Sequence, residues 1–386
     1  MMKRREFLKV TSAATVMLAS PFAVHAAQGN WRRTLVLVEL KGGNDGLNTV
    51  APYADPAYRK LRPNLSLASD KVIQISEKLG FHPSLEPLMP LWKKRHMAVT
   101  LGLGYPKPNL SHFRGIDIWD TGADSKEVLE QGWISRLFAE SKPPSDFAAD
   151  AIMLGRHRPG PVMGGGSRIV SLKSQPAKFL KKASKIATAS STDANPALAH
   201  LLKSRQDLRS AAEKIIAKKI ENIEPLTSFP ETGMGEQFAV AARLLIAGVE
   251  TPVIKLSING FDTHVDQEPT HGELLAEVAG GVAAFAAEMD KHGLWSDVVV
   301  MTYSEFGRRA TENNSAGTDH GTAAPHFMIG GRVNGGVYGQ YPDLTDLVKG
   351  NLKHTIHYRS LYATLAREWW SLDAGFINEK SLRMIS

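Results

Sequence analysis

The chain has 386 residues, no cysteine, and 46 Lys and Arg against 39 Asp and Glu, a formal net charge of +7. Without cysteine there are no disulfides and no thiolate ligands, so a transition metal has to be held by His, Asp, Glu, Ser or Asn. The basic excess comes with no basic stripe interleaved with aromatics, so it is no argument for nucleic acid.

The first segment is Lys3-Arg4-Arg5-Glu6-Phe7-Leu8-Lys9, followed by an apolar run from Val10 to Val24. It reads as an export signal with cleavage near Ala26, too short and interrupted to span a bilayer stably. The arginine pair before Phe-Leu-Lys resembles the twin-arginine (Tat) signal, which moves folded proteins. The expected location is therefore the periplasm or the cell exterior, with the Tat translocase as export partner. Residues 1–26 hold Lys3, Arg4, Arg5 and Lys9 against Glu6, so the remainder keeps +4 of the +7. No later run reaches transmembrane length. The remaining chain, about 360 residues, suits one large domain with insertions.

Thr34 to Leu40 is an apolar, β-branched run that predicts a buried strand. It enters Gly42-Gly43-Asn44-Asp45-Gly46, which turns the backbone sharply and exposes Asp45; the same residues also suit a plain tight turn. Pro52 to Asp70 reads as loop. An amphipathic helix is expected over 79–96 through Leu85, Leu88, Leu91 and Trp92, then a strand from Met97. The loop after that strand carries Ser111, His112 and Arg114. Ser111 can be a nucleophile, His112 a base or ligand and Arg114 an anion clamp. Ser111 also suits the N-cap of a helix through Ile116 and Trp119, and a nucleophile there gains from the helix dipole.

Ala151 to Leu154 predicts a short strand. Residues 156–232, with breakers at Pro159-Gly160-Pro161 and Gly164-Gly165-Gly166, read as an insertion or cap; its lysines suit a solvated face. Helices are expected at 233–248 and 272–292, with a buried strand from Pro252 between them. The stretch Gly260-Phe261-Asp262-Thr263-His264 with His271 lies at that strand's carboxyl end, where open α/β sheets place ligands. A carboxylate and two imidazoles suit zinc, manganese or iron; a capped polar turn is the plainer account. A strand from Asp297 ends in Ser304-Glu305-Phe306-Gly307-Arg308-Arg309, then a glycine-bounded loop brings Asp319 and His320. A short strand at 326–331 and a closing helix at 356–370 complete the pattern.

Alternating strands and helices predict a doubly wound, mostly parallel α/β sheet sandwiched by helices. Such a sheet would gather Asp45, Ser111, His112, Asp262, His264, His271, Glu305, Asp319 and His320 at one edge. That many carboxylates and imidazoles need a cation, here zinc or manganese, with calcium or iron as alternatives. Arg114, Arg308 and Arg309 would suit a phosphate, sulfate or carboxylate, though Arg308 and Arg309 can equally pair with Glu312.

Five motifs now stand in order: residues 42–48, 109–114, 260–264, 304–309 and 317–321. Together they resemble a large bacterial family of Tat-exported proteins whose domain is named as one of unknown function. That family is similar to the alkaline phosphatase/sulfatase superfamily, and the resemblance spans roughly 34–370. It implies an alkaline phosphatase-like fold with two metals and a Ser or Thr nucleophile at a helix start. By order, Asp45 takes the place of the first-strand ligand and Ser111 that of the nucleophile. Asp262 with His264 or His271 matches an Asp…His ligand pair, and His320 the final His. Glu305-Phe306 stands where the superfamily has Asp-His, which leaves one metal site altered or empty. Ser111 is followed by His-Phe-Arg and there is no cysteine, which speaks against a formylglycine sulfatase.

The expected function is an exported metal-dependent hydrolase of an anionic small-molecule or polymer ester, with one or two metals. Ser111 attacks or orients the attacking hydroxide, and Arg114 and Arg308 hold the anion. The alternative is a non-catalytic exported binding or assembly protein that keeps a structural metal. An oxidoreductase would suit Tat export but finds no cofactor motif.

Overall fold

The structure is a computed structural model that describes residues 29–155, 158–172, 176–187 and 195–386. The export signal at 1–26 and the polar run at 188–194 lie outside the described residues. The strands, in chain order, are β1 (Thr34–Lys41), β2 (Val50–Ala51), β3 (Ile73–Gln74), β4 (Gly80–Phe81), β5 (Met97–Gly104) and β6 (Ala151–Leu154). They continue with β7 (Ile169–Leu172), β8 (Val253–Asn259), β9 (Val298–Tyr303), β10 (Ala324–Gly330), β11 (Gly336–Tyr338) and β12 (Ile356–His357). Nine form one sheet in the order β11-β5-β10-β9-β1-β8-β6-β7, with β12 also on β5; β2, β4 and β3 form a small second sheet. β10 runs antiparallel to both β5 and β9, while the β1, β8, β6, β7, β9, β11 and β12 pairings are parallel. The mostly parallel, helix-sandwiched sheet expected from the sequence is what the chain forms.

Both faces are buried, which is why the central strands are continuous apolar runs. Val36, Val38 and Leu40 of β1 enter one core, and Leu35 and Leu37 enter the other. The first core is covered by helices Gly233–Ile246 and Gln267–Lys291. The longer helix buries Leu275, Val278, Val282, Phe285 and Met289 along one stripe; each such side chain contributes roughly 1.5–3 kcal/mol. The opposite face is covered by helices His112–Thr121, Trp133–Glu140 and Arg359–Thr364, through Trp119, Ile134, Leu137 and Leu361.

Some expectations change. The helix expected over 79–96 is a 3-10 turn, Pro83–Leu88, followed by a short helix, Met89–Lys93; Pro87 and Pro90 remove amide donors from the run. The segment read as loop at 52–70 holds a helix, Pro56–Leu61, whose N-cap Asp55 accepts from the Ala57 amide with proline at the first turn. The segment 156–232 contains β7, which extends the main sheet beyond β6. The closing helix is divided: β12 first pairs with β5, then come Arg359–Thr364 and a wide turn at Leu365–Trp369.

Strand direction sets the site. β1, β8 and β9 end side by side, so the loops at 42–45, 260–264 and 304–308 emerge together. β5 runs the same way and delivers the loop that leads to His112. His320 arrives differently: it precedes β10, whose antiparallel course puts its start, not its end, at this edge.

Candidate metal centre

The loops are cross-tied before any ligand is considered. Gly42 has φ +119, and a β-carbon there would lie 2.3 Å from the Asp262 amide nitrogen, so the loops after β1 and β8 touch backbone to backbone. Gly317 is equally tight: its β-carbon would lie 2.3 Å from the His264 carbonyl. Arg308 is fully buried and binds all of these loops. It donates Nε to Gly43 O (2.7 Å), Nη1 to Thr318 O (3.0 Å) and Nη2 to Phe261 O (2.8 Å) and Asp262 Oδ1 (2.7 Å). Nη2 also donates to Gly42 O.

At the mouth of these loops stand His112, Asp262 and His320, each offering a ligand atom within 4.8 Å of the others. His320 Nδ1 lies 2.8 Å from Leu110 O. A carbonyl only accepts, so Nδ1 carries the proton and Nε2 of the neutral ring is a lone pair. That Nε2 is 3.1 Å from Asp262 Oδ1 and 3.0 Å from His264 Nε2. His264 Nδ1 in turn faces Asp319 Oδ1 at 3.2 Å, and its Nε2 stands 3.1 Å from Asp262 Oδ1. His112 repeats the arrangement: Nδ1 is 2.9 Å from Glu305 Oε1. Its buried Nε2 makes no hydrogen bond, although Asp262 Oδ2 lies 3.3 Å away.

Three imidazoles are thus anchored through Nδ1 and turn Nε2 towards one carboxylate. This is how metal-ligating histidines are held. Neutral rings bring lone pairs face to face here, so a proton or a cation has to stand among them. His112, Asp262 and His320 fit a divalent ion, with His264 beside them.

Electrostatics agree. Burial raises the Asp262 carboxyl, but the Arg308 bond and charge, with His320 and His112, more than offset it and hold its pKa at about 2. The His112 imidazole is raised, first by its hydrogen bond to Glu305, against desolvation. Burial likewise raises Glu305, but the bonds from His112, its own amide, the Gly42 amide and Ser304 together outweigh it, so Glu305 titrates below the usual range.

The expected ligand set divides here. Asp45 is not at the mouth. It is wholly buried and bound to Arg62, with Nη1 2.5 Å from Oδ2 and Nη2 2.9 Å from Oδ1. Gln267 Nε2 adds a 2.5 Å bond, and the Leu47 amide a 3.2 Å one. Burial alone raises the Asp45 carboxyl, yet Arg62 holds it below the usual range. His271 lies with it, its Nε2 3.0 Å from Asn44 Oδ1, and desolvation pushes its pKa down to about 3. Neither reaches the open cluster, so a second ion between Asp45 and His271 does not fit: a guanidinium already fills that side of the carboxylate.

Glu305 and Asp319 contact the cluster only through His112 and His264, each bound to a ring Nδ1. Glu305 also accepts from the Gly42 amide (2.9 Å) and Ser304 Oγ (3.0 Å). Ser111 is exposed at the N-cap of helix His112–Thr121, and its hydroxyl makes no capping bond. It stands between Leu110, whose carbonyl holds His320, and His112. The two arginines differ from expectation. Arg308's donors are committed to the loop carbonyls and Asp262, and Arg114 ties the turn at Asp124, Ser125 and Glu127 through their carbonyls. Glu312 pairs with neither Arg308 nor Arg309; it binds Asn64 and the Leu65 amide.

Arg62, Gln267 and Phe306 were not foreseen as site residues. Arg62 caps the end of helix Pro56–Leu61, in a stretch whose composition suggests a loop, and nothing in its neighbours marks it. Gln267 links Asp45 to Thr263 and Thr318. Phe306 occupies the position of the imidazole that the motif order called for, and its ring lies 5.0 Å from His112 and 4.8 Å from His320.

Fold and site define an α/β protein with a histidine–carboxylate cluster that fits a divalent cation, at the edge of a mostly parallel sheet. The chain belongs to the family described as "Protein of unknown function (DUF1501)", whose model matches residues 32–371. None of the curated proteins matches it. Among solved structures it is similar to the lipoteichoic acid synthase LtaP from Listeria monocytogenes, at 9% identity and TM-score 0.33, covering 80% of this chain and 66% of that one. The chain thus spans just under two thirds of that structure. It is similar to the C-terminal periplasmic domain of EcEptC from Escherichia coli, in complex with Zn, at 10% identity and TM-score 0.38, covering 79% and 74%. A protein in the alkaline phosphatase superfamily from Vibrio parahaemolyticus is similar at 12% identity and TM-score 0.39, covering 95% and 80%. Among the described residues, no helix is long and apolar enough to cross a membrane.

Proposed function

We propose that the protein is an exported, metal-dependent hydrolase of phosphate, sulfate or related esters, working with one divalent ion at His112, Asp262 and His320. The observation that carries this is the convergence of the two Nε2 atoms on Asp262, each ring anchored behind by an acceptor at Nδ1. Zinc or manganese suits imidazole and carboxylate ligands. When bound, such an ion polarises an ester oxygen and favours ionisation of a water. Ser111 is the nucleophile or the group that orients the attacking water. Its place at a helix N-terminus lets the first free amides of helix His112–Thr121 stabilise negative charge that builds there. Glu305 and Leu110 O keep the imidazoles in one tautomer throughout. The arginine-pair segment supports delivery to the periplasm or beyond by the Tat route. Residues 27–386 act as one domain on this reading, with 156–232 as its insertion.

One observation favours a second reading. Arg62 fills the cation position beside Asp45, and Phe306 stands where the motif order calls for an imidazole. An exported binding or assembly protein with a structural metal would be built the same way.

The test is elemental mass spectrometry of the chain from residue 27, purified without added metal, joined to turnover on phosphate, phosphonate and sulfate esters. One equivalent of metal and turnover that disappears in His320→Ala are expected. Ser111→Ala should keep the metal and lose turnover; wild-type rates would remove Ser111 from its role. Metal without turnover on any ester class would favour the binding protein, and no metal uptake on titration would overturn the site.

A further inference from the structure

Beside the cluster lies a cavity of about 640 Å³, within the size range of small-molecule sites. Phe306 is a shared wall: it lines the cavity, and its ring lies against those of His112 and His320. Leu110, whose carbonyl anchors His320, lines it too. The lining is apolar and aromatic, with Tyr105, Trp119, Val348 and Leu352. Its charged residues are of one sign: Lys107, Lys349 and Lys353, with His354 and no acidic residue. Lys353 is held 2.5 Å from Asp346, which stands outside the lining.

Arg308 and Arg114 are committed to carbonyls and Asp262, and the cations that line this cavity are its lysines. We propose that this cavity is the subsite for the organic part of the ester: an aromatic or comparably bulky apolar group that carries a second negative charge. This rests on the hydrolase reading and narrows its substrate. The ester's central atom sits at the His112–Asp262–His320 mouth, the apolar group passes Phe306, and the second anion meets Lys107 and Lys349. Lys107 and Lys349 both hold left-handed backbone, with φ 53; glycine there would relieve strain as well as remove charge, whereas glutamine keeps the β-carbon and changes the charge alone.

The experiment is a binding titration of metal-loaded protein with 1,5-naphthalenedisulfonate, 2-naphthalenesulfonate and inorganic phosphate, followed by calorimetry. The disulfonate should bind at least about tenfold more tightly than either of the others, as one further well-placed charge or apolar contact gives. Leu352→Trp, which fills the cavity, should weaken the disulfonate about tenfold while leaving phosphate binding and metal content unchanged. Lys107→Gln with Lys349→Gln, on the exposed rim and independent of core packing, should erase the difference between disulfonate and monosulfonate. Equal affinities for all three ligands, or a disulfonate affinity untouched by both variants, would overturn the subsite. The two readings fail separately. Tight disulfonate binding without hydrolysis of any ester keeps the subsite and removes the hydrolase. Hydrolysis indifferent to the organic group and to both variants keeps the hydrolase and removes the subsite.

Discussion

Asp45 after β1 and Asp262 after β8 leave neighbouring strands at the same edge, and their surroundings are opposite. Asp45 is fully buried, and its counter-charge is part of the chain: the Arg62 guanidinium takes both oxygens. Asp262 is 46% exposed; Arg308 takes one contact at Oδ1, and imidazole nitrogens face the rest. A carboxylate in the interior requires a permanent partner, because an unpaired charge there costs several kcal/mol. At the mouth, water can stand in, so the site can await a cation. Burial therefore separates a carboxylate with a built-in cation from one that has room to take a cation from solution.

The largest expected effect breaks the buried half. Arg62→Met strands the Asp45 carboxylate and should cost about 3–5 kcal/mol of stability, read from the urea midpoint at pH 7. Adding Asp45→Asn to that variant should recover most of the loss. A drop under about 1 kcal/mol for Arg62→Met alone would contradict the account of Asp45 as a buried charge.

The next effect lies in the open half. His320→Ala should lower metal affinity at least about a hundredfold, since outer partners of metal ligands alone are worth 10–100-fold. Stability of the metal-free protein should change by less than about 1 kcal/mol, as for other sites away from the core. His271→Gln is the matched control in the buried half and should leave metal affinity unchanged. Equal losses of metal in both variants would erase the distinction between the halves. Glu305→Gln should have a smaller effect, about tenfold on metal affinity. The amide oxygen can still accept from His112 Nδ1, but the negative charge behind the ring is gone.

The sequence revealed one half of this comparison better than the other. Loops that follow apolar strands were legible, because a doubly wound sheet has to bring strand ends together; that placed Asp262, Glu305 and His112 at one edge. His320 was reached by motif order rather than by sheet logic, since it precedes an antiparallel strand. Depth was not legible. Asp45 and Asp262 both follow glycine turns, and nothing local says that one carboxylate points inward. The deciding residue, Arg62, lies 17 positions from Asp45 in a segment read as loop, although Asp55-Pro56 was a usable helix-start signal. Arg308 and Arg114 misled for a related reason: an arginine near strand ends looks the same whether it awaits an anion or satisfies backbone carbonyls.

The last effect, the smallest per pH unit, is in pH dependence, and here a histidine of each half carries the opposite sign. His271 is neutral in its buried site, with a pKa near 3 against an ordinary 6.5. Between those values the unfolded chain binds more protons, so stability rises with pH across the window and is lost as pH falls from about 6.5. His112 is raised instead; its contribution is complete below 6.5 and lost as pH climbs through the folded value. Other groups add to both sides. Burial lowers His82 to about 4 and His326 to about 3, which works with His271, while Asp120, raised to about 7 by burial, works against them. The total slope therefore assigns nothing, but a difference between variants does. In metal-free protein, His271→Gln should lose less stability than wild type between pH 6.5 and 4, by about 1 kcal/mol per pH unit. Asp120→Asn should steepen the acid loss over the same range, because it removes a group that binds its proton more tightly when folded. Urea unfolding at pH 7, 6, 5 and 4 measures both. If His271→Gln left the slope as it was, the imidazole would be gaining a proton in the folded state, and the buried half would be as open to solvent as the mouth.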